Sequence, residues 1–226
     1  MEVRCANWCS RSRNDVGVKR AQEVDVSSGT DEGILLWPLT PDSRLPRGND
    51  GLVLPLVLAR AFDPGECHTL RDLHRNKAAN RSSLLIPIED YRHAETWYLE
   101  PDDMSWAFDR LVHLAVKANH RFCLDLAGIC ESLLLVRYLE GGHFSWHTDT
   151  GVGVTSTRKI SISIQLSEPK DYEGGALEFS GLGEPSLARG LGTAIAFPSF
   201  FSHRVQPVSR GERWSLVGWI HGPAFR

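Results

Sequence analysis

The chain has 226 residues, 42% hydrophobic and 23% charged, with a formal net charge of -3. That length suits one domain of ordinary size with an irregular extension, and that composition suits a soluble globular protein. The acidic balance gives no general attraction to phosphate backbones, so no nucleic-acid partner is expected. No apolar run reaches the length of a membrane span, and residues 1–20 lack the apolar core of a signal peptide, so no membrane partner and a cytoplasmic setting are expected. Five cysteines (Cys5, Cys9, Cys67, Cys123, Cys130) are scattered and odd in number, which argues for reduced thiols over a disulfide framework. Oligomeric state leaves no mark in the sequence.

Residues 1–51 are rich in Arg, Asp, Ser, Gly and Pro and read as an irregular extension. Its one apolar patch, Ile34–Trp37, is a candidate edge strand on the body, which spans 52–226. Asp63-Pro64-Gly65-Glu66 opens a helix with a cap, a first-turn proline and a capping box, and the helix is expected to reach Ala79. A strand at Glu95–Leu99 precedes a second helix, with Asp102 and Asp103 in its first turn and His120-Arg121 near its end. Met104, Phe108, Leu111, Val112 and Ala115 form its packing stripe.

After Cys130 the chain reads as short strands punctuated by glycines. The candidates are Leu133–Leu139, His143–Asp149, Lys159–Leu166, Ala176–Phe179, Thr193–Phe197, His203–Val208 and Arg213–His221. Two helices followed by antiparallel strands give a mainly β fold, a double-sheet jelly roll with a helical layer on one outer face. Ile160–Leu166 alternates strictly. Its Ile/Leu set belongs under the helices, and Ser161, Ser163 and Gln165 then line the interior. Asp171–Gly175 reads as a turn, and Gly151–Thr157 as a flap or an ordinary connection.

His147-Thr148-Asp149, with His203 fifty-four residues beyond and Arg213 ten beyond that, is the constellation that carries chemistry. Two imidazoles and a carboxylate are the ligands of the facial triad that leaves part of an iron(II) coordination sphere open. Residues i and i+2 of a strand share a face, so His147 and Asp149 can point to one ion. An H-x-D is common by chance among nine histidines; the strand context and the arginine strengthen it.

The segments V-R-Y-L-E-G-G-H-F-S-W-H-T-D, L-S-E-P-K-D-Y-E-G-G-A-L and F-P-S-F-F-S-H-R-V-Q-P-V-S-R-G-E-R-W-S-L resemble the 2-oxoglutarate- and iron(II)-dependent dioxygenases, in the prolyl/lysyl-hydroxylase (prolyl-4-hydroxylase-like) branch. The resemblance covers roughly Leu133 to Arg226, weakening back to Tyr91, and implies a double-stranded β-helix. It implies His147, Asp149 and His203 as iron ligands and catalytic residues. Arg213 is implied as the partner of the distal carboxylate of 2-oxoglutarate, a task suited to its planar, permanently charged fork. Ser215, on the same strand face, and Tyr138 are further co-substrate candidates; a core tyrosine is the other reading of Tyr138. Arg204 points to the opposite face from His203, and Arg210 reads as a turn residue. The implied reaction is hydroxylation of an unactivated C–H in an amino-acid or peptidyl substrate, with iron(II), 2-oxoglutarate and O2, ascorbate as reductant, and release of succinate and CO2. Trp97, Tyr98 and Trp146 are candidates for an apolar substrate pocket or for core packing.

Three other readings are weaker. A cupin-type metal jelly roll without 2-oxoglutarate has no need of Arg213. A silent binding module has no need of the full triad. The nucleic-acid-dealkylating branch carries a second arginine six residues beyond the first, where this chain has Trp219.

Overall fold

The computed structural model describes residues 49–76, 91–182 and 189–224, together with short strands at 22–23, 35–36 and 80–81. The chain divides into two units, 1–48 and 49–226. In the first, β1 (Gln22–Glu23) pairs antiparallel with β2 (Leu35–Leu36). The apolar patch at Leu35-Leu36, expected as an edge strand on the body, thus pairs with Gln22-Glu23 of its own unit. Cys5 and Cys9 lie outside the described residues.

The second unit begins with β3 (Leu56–Leu58) and α1 (Pro64–Asp72). Asp63 accepts from the Glu66 amide at 2.8 Å and Glu66 from the Asp63 amide at 2.8 Å, the reciprocal cap expected from the sequence. The α-helix ends earlier than expected, at Asp72, and tightens into a 3-10 turn at Leu73–Asn76; residues 77–79 lie outside the described residues. After β4 (Asn80–Arg81), β5 (Arg92–His93) and β6 (Glu95–Leu99) comes α2 (Pro101–Phe122). Arg110 of α2 donates to Glu66 at 2.5 Å and to the Ala61 carbonyl at 2.8 Å, tying the two helices together.

The buried face of α2 is Met104, Ala107, Leu111, Leu114, Ala115, Ala118 and Phe122. Val112 is 44% exposed, a correction to the expected stripe: one residue past Leu111 is a 100° turn away from the sheet. Phe108 is partly buried beside the core.

The remaining strands are β7 (Leu133–Tyr138), β8 (His143–His147), β9 (Arg158–Gln165), β10 (Tyr172–Gly174), β11 (Leu177–Phe179), β12 (Ala194–Pro198), β13 (His203–Val205), β14 (Val208–Gly211) and β15 (Arg213–His221). Seven form one sheet in the order β3-β12-β9-β15-β7-β6-β4, and four face it in the order β11-β13-β8-β5. β10 and β14 pair separately, so Tyr172–Gly174 is a strand where a turn was expected, and Arg210 lies in β14 rather than in a turn. The Gly151–Thr157 segment closes as a 3-10 turn over Gly153–Thr157.

The large sheet has two different faces. Outward, Ile160, Ile162, Ile164, Leu133, Leu135, Trp214 and Leu216 join the α2 residues in one core. Trp97 belongs there too, stacked on Trp214 at 5.4 Å, and so lines no substrate pocket. Helix and sheet approach so closely that a Cβ on Gly218 would lie 2.2 Å from Leu111 Cδ2. Inward, Leu134, Val136, Tyr138, Ile195, Phe197 and Trp219 meet Phe179 and Val205 of the small sheet. The site lies between the sheets, with the helices behind it.

Leu111 is fully buried while Val112 is exposed. Leu111→Ala is expected to lower unfolding free energy by about 2–5 kcal/mol through lost burial and a cavity, and Val112→Ala to change it by less than about 0.5 kcal/mol. Denaturant unfolding of both variants reads the difference; equal losses would contradict this packing.

Candidate metal centre

β8 and β13 pair so that His203 stands opposite His147 and Val205 opposite Phe144. Two steps along β13 thus match three along β8, which marks a bulge. The extra residue puts both Phe144 and His147 on the inner face, where strict alternation would have separated them. Trp146 turns outward, 42% exposed and under the Arg204 guanidinium. It lines no pocket, and Arg204, held by Glu178 at 2.5 Å, points away from the site as expected.

The bulge delivers three ligand atoms to one place. Nitrogen and carboxylate oxygen atoms of His147, Asp149 and His203 all lie within 4.8 Å of one another. His147 Nε2 is 3.8 Å from Asp149 Oδ1, and His203 Nε2 is 3.7 Å from Asp149 Oδ2. Both histidines use Nδ1 against a carbonyl two residues back, Ser145 at 2.7 Å and Phe201 at 2.9 Å. That bond fixes the tautomer with Nε2 lone pairs free and aimed inward, as a metal ligand requires. Burial, with His203 adding to it, pushes the His147 pKa down to about 4, so the ring is neutral at pH 7. The short distance from His147 to Asp149 is therefore that of ligands converging on a point and not of an ion pair.

Asp149 is fixed from outside. Its amide donates to the Ser199 carbonyl at 2.9 Å, and Ser161 Oγ donates to its Oδ2 at 2.6 Å. Ser199 Oγ stands 3.0 Å from Ser161 Oγ and can donate to it in turn. Aromatic rings enclose the imidazoles: Phe144 stacks on His147 at 3.6 Å, and Phe197 meets His203 edge-on at 4.7 Å. Tyr91, whose carbonyl accepts from the Ser145 amide, closes one side, and burial next to Asp149 raises its phenol pKa.

A cavity of about 790 Å³ runs from this cluster between the sheets. Arg213, Tyr138 and Ser215 line it, with Ser163 and Trp219, as do Tyr98, Phe108 and Ile129 toward one end. Arg213 is 1% exposed. Its Nη2 donates to Gln165 Oε1 at 2.9 Å, its carbon stem packs at Gly175, and its guanidinium sits 5.4 Å from the Tyr138 ring. Gly175 has φ +60, and a Cβ there would lie 3.0 Å from Arg213 Cδ, so glycine serves both the turn and the close approach. Nη1 of Arg213 is buried with no partner, and no carboxylate among the described residues pairs with the guanidinium. A buried cation with a free donor on a cavity is a site for an anion.

Sequence reading brought His147, Asp149, His203, Arg213, Tyr138 and Ser215 to one cavity, and the structure has all six there or at its wall. It did not find the bulge, Ser199, or the pairing of Glu131 with Arg158 beside Asp149. Glu131 and Arg158 are distant in sequence and carry no spacing signal. Gln165 and Ser161 were placed on the inner face by alternation, but their partners were not.

Because Ser161 bonds the carboxylate that would hold the metal, Ser161→Ala is expected to weaken iron(II) or manganese(II) binding by about 10–100-fold. A metal titration of the two proteins measures it, and unchanged affinity would make the serine a spectator.

The comparisons agree with this geometry. Residues 133–221 match the model described as the 2OG-Fe(II) oxygenase superfamily. A PKHD-type hydroxylase of Picosynechococcus sp. is 41% identical over 116 residues, 50% of this chain and 53% of that protein. One from Gloeothece citriformis is 39% identical over 93 residues, 40% of this chain and 42% of that protein. The chain spans about half the length of the curated relatives it matches. Among solved structures, a Pseudomonas putida prolyl-4-hydroxylase has a TM-score of 0.60 at 20% identity, over 75% of this chain and 93% of that one. A Trichoplax adhaerens prolyl hydroxylase has a TM-score of 0.61 at 14% identity, over 74% and 83%. These structures share the double-stranded β-helix. Residues 133–221 are thus similar to the 2OG-Fe(II) oxygenase superfamily, and the chain shares the fold of the prolyl hydroxylase structures.

Proposed function

We propose that this protein hydroxylates an unactivated C–H of an amino-acid or peptidyl substrate, using iron(II), 2-oxoglutarate and O2. The observation that carries the reading is one cavity with a two-histidine, one-carboxylate cluster and, deeper in, a buried arginine with a free donor. His147 Nε2, His203 Nε2 and an Asp149 oxygen would hold the metal, which a borderline donor set of two imidazoles and a carboxylate suits. When bound, iron(II) with 2-oxoglutarate and O2 supplies the oxidation that inserts oxygen into the C–H bond, with succinate and CO2 as the other products.

The chain's own residues do the positioning. Arg213 Nη1, with Ser215 beside it, receives the distal carboxylate. Gln165 accepts from Nη2 and keeps the fork turned to the cavity. Ser161 and Gln165 are four residues apart on β9, about 13 Å along the strand. The arginine side chain and a short dicarboxylate together span that length. Phe144, Phe197 and the apolar inner core keep bulk water from the ligands and sharpen every electrostatic contact there. Tyr98, Phe108 and Ile129 at the other end offer an apolar wall for substrate.

An amino-acid or peptidyl target is supported by the relatives, which are named PKHD-type hydroxylases, and by the Trichoplax prolyl hydroxylase, whose structure holds a hypoxia inducible factor peptide fragment. The reading includes ascorbate as reductant, a cytoplasmic setting, and no nucleic-acid or membrane partner. The net charge of -3 supports the third part, and no described helix is long and apolar enough to cross a membrane.

Succinate release against free amino acids and proline- or lysine-containing peptides tests the activity. Asp149→Ala is expected to abolish it, and undiminished hydroxylation would remove the triad from the mechanism. Arg213→Ala is expected to raise the 2-oxoglutarate requirement more than about a hundredfold, since breaking a buried charge pair costs roughly 3–5 kcal/mol. Metal content should not change. A shift under about fivefold, well short of the ~1.4 kcal/mol of a tenfold change, would exclude Arg213 as the carboxylate partner.

A further inference from the structure

Arg92, Arg158 and Arg213 all line the cavity, and the proposed function uses only the last. Arg158 is occupied: Glu131 accepts from it at 2.6 Å and the Asp149 carbonyl at 3.2 Å. Arg92 is not. It is half-buried, its Nε is buried with no acceptor, and among the described residues no carboxylate pairs with its guanidinium. The acids that line the same cavity are engaged elsewhere, Asp149 by Ser161, Glu131 by Arg158 and Glu100 by Ser132 at 2.5 Å.

Local structure fixes where this cation stands. Arg92 lies on β5, the outer strand of the small sheet, in register with Phe144 of β8. Its guanidinium rests over the Phe144 ring at 4.8 Å, and that ring stacks on His147 at 3.6 Å. β13, which carries His203, is on the other side of β8, two strand spacings of about 4.8 Å from β5. Arg92 therefore flanks the metal ligands where β5 passes into β6 and Tyr91 and Tyr98 line the cavity.

An aromatic face attracts a cation but accepts little from its N–H groups. A half-buried guanidinium left so, next to ligands for a doubly charged ion, is unfavourable in the free protein. A carboxylate that meets it bidentately relieves that condition. The two carboxylates of 2-oxoglutarate belong with the metal and with Arg213, so the anion for Arg92 arrives with the molecule to be hydroxylated.

We infer that Arg92 binds a carboxylate of the primary substrate, so that the protein selects an acidic acceptor: a free amino acid held by its α-carboxylate, or a peptide whose target residue adjoins an Asp or Glu. The inference rests on the proposed function and narrows its substrate class. The Phe144 ring sets the span. It touches both the cation and His147, so the carboxylate stands only a few bonds from the C–H presented to the metal.

The test is succinate release by the full iron-loaded chain. Acceptors are the free amino acids, their C-terminal amides, and end-blocked peptides in which proline or lysine is followed by Glu or by Gln. The acid is expected to exceed its amide, or the Glu peptide its Gln counterpart, by about thirtyfold in kcat/KM (~2 kcal/mol). Which of the two comparisons shows the preference identifies the source of the carboxylate. Arg92→Gln is expected to remove the preference through KM, bringing the acidic substrate to the level of its neutral counterpart, and Arg92→Lys to restore part of it. The 2-oxoglutarate requirement and the metal content should not change in either variant. The wild-type comparison needs no variant and stands if Arg92→Gln does not fold. Equal turnover of acidic and neutral counterparts, an acid preference that survives Arg92→Gln, or a raised 2-oxoglutarate requirement in that variant would overturn the inference and leave the proposed function intact. A wild-type protein that turns over no amino acid or peptide would instead overturn the proposed function, and this inference with it.

Discussion

β15 pairs with β7 on one side and β9 on the other, so its alternation fixes which side chains of three strands face the helices and which face the cavity. Trp214, Leu216 and Ile220 enter the helix-backed core, while Arg213, Ser215 and Trp219 enter the site. A slip of one residue would exchange the two sets, sending a guanidinium into an aliphatic core. Register is thus specified from both faces at once. Gly218 adds a third restraint, because only a residue without a Cβ lets Leu111 sit against the strand.

The metal cluster needs the opposite device, a break in alternation. The bulge in β8 brings Phe144 and His147 to the same face, so the ring that shields the imidazole comes from the strand that supplies it. Bulges collect next to active sites because they re-aim a side chain without ending the sheet. The carbonyls of Ser145 and Phe201 then set both tautomers by local contacts two residues long. Each histidine is pre-oriented by its own strand, and only Asp149 depends on the facing sheet, through Ser161 and Ser199.

Electrostatics in the cavity are arranged for ligands and against self-satisfaction. Glu66, Glu95, Glu131, Glu178 and Glu212 each pair with an arginine elsewhere in the unit. Among the described residues Arg213 has only the neutral Gln165 amide, and Trp219 Nε1 has no acceptor. Buried groups left in this condition cost stability in the free protein and return it when a complementary ligand binds. By contrast Cys67, whose thiol burial pushes up to about 12, is a packed side chain with no poise for chemistry.

The sequence alone determined what depends on local spacing. The Asp63–Glu66 cap, the strict alternation of Ile160–Leu166 and the H-x-D with its later histidine and arginine were legible because period and spacing are properties of a few consecutive residues. Those features were enough for the fold class, the convergence of His147, Asp149 and His203, and the inner face of β9. The tertiary structure decided the rest. The pairing of Leu35-Leu36 with Gln22-Glu23, the strand at Tyr172–Gly174 and the exposure of Val112 all depend on which neighbour is present. The bulge in β8 is invisible in one strand, since it exists only as a mismatch of two residues against three across a pair. The links from Ser161 to Asp149, from Gln165 to Arg213 and from Arg158 to Trp219 join residues on different strands or in different turns. No periodicity encodes such contacts, because they arise only when the sheets close and a buried polar group must take whatever partner the fold brings within reach.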